Sequence, residues 1–214
     1  MLQARADRKR VITVIAGVNG AGKSSVAGAY LRQQGADYFN PDEISQQLRA
    51  ENPQLSKTKA DAEAWQTGYR LLLRAIEEGR DYIFETTLGG STICETLHQA
   101  IDQGGQVRVF FVGLESSDLH VARVAARVSR GGHRIPEDKI RQRWVTAIHN
   151  LMGLIPRCAA VTVFDNSAQD TGEGPFPVCL FSLQEGQFSR PPVDPMPDWA
   201  KPLAVVAMKH VSRV

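Results

Sequence analysis

An α/β fold built on a parallel sheet is predicted by three observations on this 214-residue chain. Strand-like and helix-like segments alternate from residue 11 onward, the pattern of strands joined by helical crossovers and covered on both faces. The apolar, β-branched run Val11-Ile12-Thr13-Val14-Ile15-Ala16 reads as a buried strand. It feeds directly into Gly17-Val18-Asn19-Gly20-Ala21-Gly22-Lys23-Ser24, which satisfies G-x-x-x-x-G-K-[ST] at every fixed position. A helical period through Val26, Ala29, Tyr30 and Leu31 follows. Strand, glycine loop and helix in that order turn backbone N–H groups toward one phosphate chain. Gly17, Asn19, Gly20, Ala21, Gly22, Lys23, Ser24 and Ser25 are therefore the expected cradle of a nucleoside triphosphate. Gly17, Gly20 and Gly22 permit positive φ, Lys23 reaches the β/γ-phosphates and Ser24 holds Mg²⁺.

The remaining elements follow from periodicity. Asp37-Tyr38-Phe39 reads as a short second strand, followed by helices over about 42–50 and 57–78. The longer helix carries Trp65, Gly68, Tyr69, Leu72, Ala75 and Ile76 on one stripe. A third strand spans 82–86, a helix about 91–103 and a fourth strand 107–112. A helix over about 118–130 runs into Gly131-Gly132, and Pro136 opens a long helix with Ile140, Trp144, Ala147, Leu151 and Ile155 on its buried side. Residues 160–164 form the fifth strand, and 178–182 a sixth, antiparallel and at an edge. Five prolines dominate Ser189–Pro202, which reads as an extended surface tail, while the run Leu203–Met208 after it is open to docking back in a form the pattern does not specify. The expected organisation is one domain over 1–188, with a lid around 118–145, and a proline-rich tail over 189–214.

Composition narrows the class. A hydrophobic fraction of 43% and a charged fraction of 22% are ordinary for a globular protein. A net charge of +2 is too small to imply a nucleic-acid or membrane partner. Cys94, Cys158 and Cys179 are odd in number and widely spaced, which argues against a disulfide framework or a zinc site and suits a reducing cytoplasm. Neither a signal peptide nor a membrane span is visible.

Three constellations carry chemistry. Asp42 follows the second strand in Phe39-Asn40-Pro41-Asp42-Glu43. Asn40, Pro41 and Glu43 make a good helix start, in which Asp42 only favours the dipole. Equally, Asp42 sits where ligands gather in such sheets and suits a base for an acceptor hydroxyl. Glu85, in Ile83-Phe84-Glu85-Thr86-Thr87, closes an apolar strand. There an acid is costly unless paired, so a metal or substrate contact is expected, with Thr86 beside it. Asp165 in Phe164-Asp165-Asn166-Ser167 is better explained by a turn. Arg123, Arg127 and Arg130 share one helix face, Arg134 follows, and Arg141 and Arg143 come soon after. Near a triphosphate, an arginine face before a Gly-Gly break reads as a phosphate-clamping lid. His133 either contacts substrate or caps the break.

The segments GVNGAGKSS, FNPDEI, FETTLGG, RVSRGGHRIPEDKIRQRW and VFDNS occur in the order seen in the zeta-toxin-like kinase family. The chain resembles its compact branch, often labelled predicted ABC-type ATPases, over roughly Arg10–Ser167. The resemblance implies a P-loop NTPase fold of kinase type, with strand order 2-3-1-4-5, flanking helices and a helical arginine lid. It implies ATP and Mg²⁺ as cofactors, Lys23 and Ser24 at phosphate and metal, and Asp42 as catalytic base. Glu85 falls at substrate or metal, and Arg127 with a second lid arginine, Arg134 or alternatively His133, at the transferring phosphoryl group. It also implies a hydroxyl acceptor, with UDP-N-acetylglucosamine as first candidate, and an antitoxin protein as partner. Thr58, Lys59 and the helix bearing Trp65 and Tyr69 would wall the acceptor side. An ABC-type switch would need an LSGGQ-like signature, which Ser129-Arg130-Gly131-Gly132-His133 imitates poorly. A polynucleotide 5′-hydroxyl kinase would want a basic groove with stacking aromatics, but aromatics are only 7% of the chain.

Overall fold

β1 (Val11–Ala16) is an inner strand of a six-stranded sheet, second in its order, and is fully buried from Val14 to Ala16. The computed structural model describes residues 9–33, 35–132, 134–168 and 177–212. β1 pairs in parallel with β2 (Tyr82–Thr86) on one side and β3 (Gln106–Gly113) on the other, and β3 pairs in parallel with β4 (Ala160–Asp165). Beyond β2 lies Phe39, in a single parallel bridge to Phe84. The strand expected over 37–39 is thus reduced to one residue. Phe39 exchanges bonds with Ile83 and Glu85, and Asn40-Pro41 then turns the chain into a helix. Counting Phe39 as the second strand, the parallel part of the sheet runs 2-3-1-4-5.

Between β1 and β2 come a π-helical turn (Ser24–Gly28), α1 (Ala29–Gln33), α2 (Pro41–Glu51) and α3 (Lys57–Glu77). α4 (Ser91–Asp102) follows β2, and α5 (Ser117–Ser129) and α6 (Glu137–Leu154) follow β3. Most of the core lies on one sheet face. Val14, Val109, Phe111 and Val163 meet Leu72 of α3, Leu97 of α4 and Leu151 of α6 there. The other face buries Ile15 and Val112 and then turns polar, with Arg108 exposed and Thr162 bonded to Ser182.

The C-terminal third differs from expectation in two ways. β5 (Val178–Gln184) is antiparallel to β4 as expected, but it is not an edge. β6 (Gln187–Arg190) pairs outside it through a two-residue turn in which Glu185 and Gly186 both have positive φ. Nor is the proline-rich stretch an extended surface tail. A short 3₁₀ turn (Asp198–Ala200) leads into α7 (Lys201–Val211), which buries Leu203, Ala204 and Ala207 against the turn after α6. Pro202 lies in the first turn of α7, where a missing N–H costs nothing. Trp199 is the anchor: its ring packs on Phe111, its Nε1 donates to Asp165 Oδ2 at 3.2 Å, and a Cβ on Gly113 would come within 2.2 Å of it.

If this segment belongs to the core, Trp199→Ala should lower folding stability by about 3–5 kcal/mol, the usual loss for a buried aromatic. Urea titration reads the change directly. A midpoint equal to the parent's would mean the segment is dispensable.

Candidate functional site

The glycine loop closes over the C-terminal end of β1, where a parallel sheet gathers its ligands. Gly17, Gly20 and Gly22 have φ of 143°, 86° and 86°, as the motif requires. At Gly22 a side chain is also excluded by contact, since a Cβ would lie 2.6 Å from Asn166 Nδ2. Asn166 is buried and donates to the Ala21 carbonyl at 2.9 Å, so the turn after β4 braces the loop from behind. Asp165 makes that turn by accepting from Ser167 N, as expected of it.

Glu85 is buried near the end of β2, and its two oxygens face the loop. Oε2 accepts from Ser24 Oγ at 2.8 Å and Oε1 lies 3.4 Å from Lys23 Nζ. The lysine and glutamate side chains are only 8% and 9% exposed. The acid that would be costly alone is therefore paired. One hydroxyl and one carboxylate side by side are hard oxygen donors of the kind Mg²⁺ takes when phosphates and waters fill the rest of its shell. Ser24 and Glu85 fit that ion. Among the described residues no group of three or more His, Cys, Asp or Glu is gathered for a metal.

Asp42 stands across the cleft, in the first turn of α2. The cap is made by its neighbours: Asn40 Oδ1 accepts from Asp42 N at 3.0 Å, and Asn40 Nδ2 donates to Glu43, which also pairs with Arg32. The Asp42 carboxylate takes no part in the cap. It is 54% exposed and lies 3.7 Å from Arg127 Nη1 of α5. Lys23, Asp42, Glu85, Thr86 and Arg134 line one cleft of about 860 Å³, together with Asn19 and Arg143. On its far side α3 contributes Thr58, Trp65 and Tyr69. The two aromatic rings stack at 5.3 Å, and Trp65 remains 45% exposed. Thr86 also has a local role, accepting from Leu88 N in the following loop. Lys59 is exposed and does not line the cleft, and His133 lies outside the described residues.

The arginines do not act as one face. Arg127 turns to Asp42, whereas Arg123 donates to the Ala168 carbonyl beside the turn after β4, and Arg130 is exposed at the end of α5. Arg141 is taken up by Glu137 and Asp118. Arg143 is the guanidinium that the sequence reading left unplaced. It enters the cleft past Gly89, where a Cβ would strike its side chain at 2.8 Å, and donates to Asn19 Oδ1 at 2.8 Å. Burial lowers its pKa from the ordinary value, and the Asp42 charge works against that shift. One sequence signal separates the two: Arg141 has Glu137 at i−4, whereas Arg143 has no acid at helical spacing. His120 was also missed. It is buried on α5, with Nδ1 2.9 Å from the Asn19 carbonyl and a pKa pulled down to about 4, chiefly by burial. The FETTLGG loop is held by α6, through Asn150 Nδ2 to the Leu88 carbonyl and Thr146 Oγ1 to that of Gly89.

Among the described residues no helix is long and apolar enough to cross a membrane. An uncharacterized protein of Haemophilus influenzae is 30% identical over 128 residues, spanning 60% of this chain and 88% of that one. A crystal structure of AvrRxo1-ORF1:AvrRxo1-ORF2 with sulphate ions matches with a TM-score of 0.67 at 14% identity, over 99% of this chain and 78% of that one. The same complex with ATP gives 0.64 at 15% identity, with the same coverage. A structure from the PezAT chromosomal toxin–antitoxin system of Streptococcus pneumoniae gives 0.53 at 12% identity, over 97% and 88%. The fold is thus the kinase-type P-loop fold also found in toxin–antitoxin systems. Residues 12–146, from β1 into α6, match the family described as AAA domain, and the chain belongs to that family.

Proposed function

We propose that the protein is an ATP-dependent phosphotransferase that moves the γ-phosphate to a hydroxyl, with a UDP-amino sugar such as UDP-N-acetylglucosamine as first candidate. The observation that carries this reading is the pairing across the cleft. The Asp42 carboxylate, which takes no part in the helix cap, pairs with Arg127 and shares one cleft with Lys23 and Glu85. A nucleotide switch has no use for an exposed acid at that place.

ATP would supply the electrophilic phosphoryl group, and Ser24 and Glu85 would hold the Mg²⁺ that offsets charge on its phosphates. Asp42 takes the proton from the acceptor hydroxyl as its oxygen closes on phosphorus and the bond to the β-phosphate breaks, releasing ADP. Lys23, Arg127 and Arg143 balance the charge on the transferring oxygens, the largest part of such catalysis. Arg134, at the cleft rim, is a further candidate. Trp65 offers an open aromatic face for the base of a sugar nucleotide, and the cleft volume is in the range of small-molecule sites. AvrRxo1-ORF1:AvrRxo1-ORF2 has been solved with ATP, and PezAT is a toxin–antitoxin system. By analogy, a protein antitoxin that restrains this chain belongs to the proposal.

Two variants test the roles with UDP-N-acetylglucosamine as acceptor. Asp42→Asn should leave ATP affinity and melting temperature near the parent's while transfer falls roughly 10²–10⁴-fold. Normal transfer per folded molecule would remove Asp42 as base. Arg127→Ala should lower kcat more than it raises KM for ATP, because its charge acts in the transition state. A rise in KM with kcat unchanged would make it a ground-state contact only.

A further inference from the structure

Asn19, near the apex of the phosphate loop, is gripped from two sides. Arg143 Nη1 of α6 donates to its side-chain oxygen, and His120 Nδ1 of α5 lies 2.9 Å from its carbonyl oxygen. A carbonyl can only accept, so Nδ1 carries the proton. Burial and the nearby charges of Lys23 and Arg123 disfavour a second proton, which leaves a neutral imidazole. Its Nε2 is buried and without a hydrogen-bond partner, although the residue is only 1% exposed. As packing alone this is a poor arrangement, since a leucine would fill the space without the unmet Nε2; what it would give up is the bond to the Asn19 carbonyl.

The gain lies in the backbone. A peptide unit is planar and trans, so the Asn19 carbonyl and the Gly20 N–H point in opposite directions. Holding the carbonyl against α5 turns the Gly20 N–H away from α5, the direction from which a phosphate would approach. Gly20 itself lies flat on this helix at φ 86°, where a Cβ would meet the His120 carbonyl oxygen at 2.9 Å. We propose that His120 is a positioning residue for nucleotide. It locks the Asn19–Gly20 peptide in the orientation that offers the Gly20 N–H to phosphate, and it fixes the residue on which Arg143 rests. The same contact ties the base of the arginine lid to the loop. This inference rests on the loop being a nucleotide site, though not on which hydroxyl receives the phosphate.

Three variants separate positioning from packing: His120→Leu, His120→Asn and His120→Gln. Asparagine places an N–H where Nδ1 stands, whereas glutamine places it where Nε2 stands. The readout is ATP affinity by calorimetry per mole of folded protein, with melting temperature measured in parallel. His120→Leu and His120→Gln should bind ATP about tenfold more weakly, the loss expected for one oriented hydrogen bond, and His120→Asn within about threefold of the parent. Should the leucine variant not fold, the asparagine–glutamine contrast carries the test. Equal affinity in all variants, or asparagine as weak as glutamine, would overturn the proposal even if melting temperatures fall. A parent that binds ATP but phosphorylates no acceptor removes the kinase reading and leaves this comparison decisive. A parent that binds no ATP overturns both.

Discussion

The carboxylate of Glu85 is the constraint around which the site is arranged. It sits on a strand that pairs directly with β1, in a place from which water is nearly excluded, and Lys23 and Ser24 meet its two oxygens there. A buried charge stripped of its partner costs about 3–5 kcal/mol, so these residues are bound to one another in stability as well as in position. The sheet order makes the meeting possible. β1 and β2 are parallel neighbours, so the loop leaving β1 and the acid ending β2 emerge at the same edge. The pair also keeps a cation and a hydroxyl in place for the phosphates and Mg²⁺ that the proposed reaction needs.

From this floor the rest of the site is built outward in layers of decreasing burial. The turn after β4 braces the loop through Asn166, and the C-terminal segment braces that turn through Trp199 and Asp165. The helix pair α5–α6 closes the other side, gripping Asn19, presenting Arg143 to the cleft and setting Arg127 against Asp42. Only then come the exposed groups, Asp42 and Trp65, which the proposal assigns to the acceptor. Such grading suits the proposed transfer: the groups assigned to phosphate are buried, and those assigned to the acceptor stand in the open.

Much of this was legible in the sequence because local rules and global fold agree. The loop motif follows a buried strand, Asn40-Pro41-Asp42-Glu43 spells a helix start, and Glu85 on an apolar strand demanded a partner. Where the reading failed, the deciding contact was distant. Proline count in 189–202 suggested an exposed tail, yet Pro202 is a helix starter and Trp199 finds its pocket only because Gly113 leaves room. Arg123, Arg127 and Arg130 share a face by spacing, but α5 stops short of Arg130 and lies across two different neighbours, so Arg123 and Arg127 part ways. His120 gave no local signal at all, since its partner is a backbone carbonyl 101 positions earlier. Asp37–Phe39 looked like a strand and is one bridge, because the helix start that follows consumes its length.

The central claim is transfer of a phosphoryl group to a hydroxyl, and phosphorus NMR tests it most directly. The protein, ATP and Mg²⁺ are incubated with UDP-sugars, nucleosides and 5′-hydroxyl oligonucleotides in separate samples. The account predicts a new phosphomonoester resonance on a small hydroxyl acceptor, with UDP-N-acetylglucosamine tried first, growing as ADP appears. A resonance on the oligonucleotide 5′ end alone, or ADP and inorganic phosphate with no phosphomonoester in any sample, would contradict it.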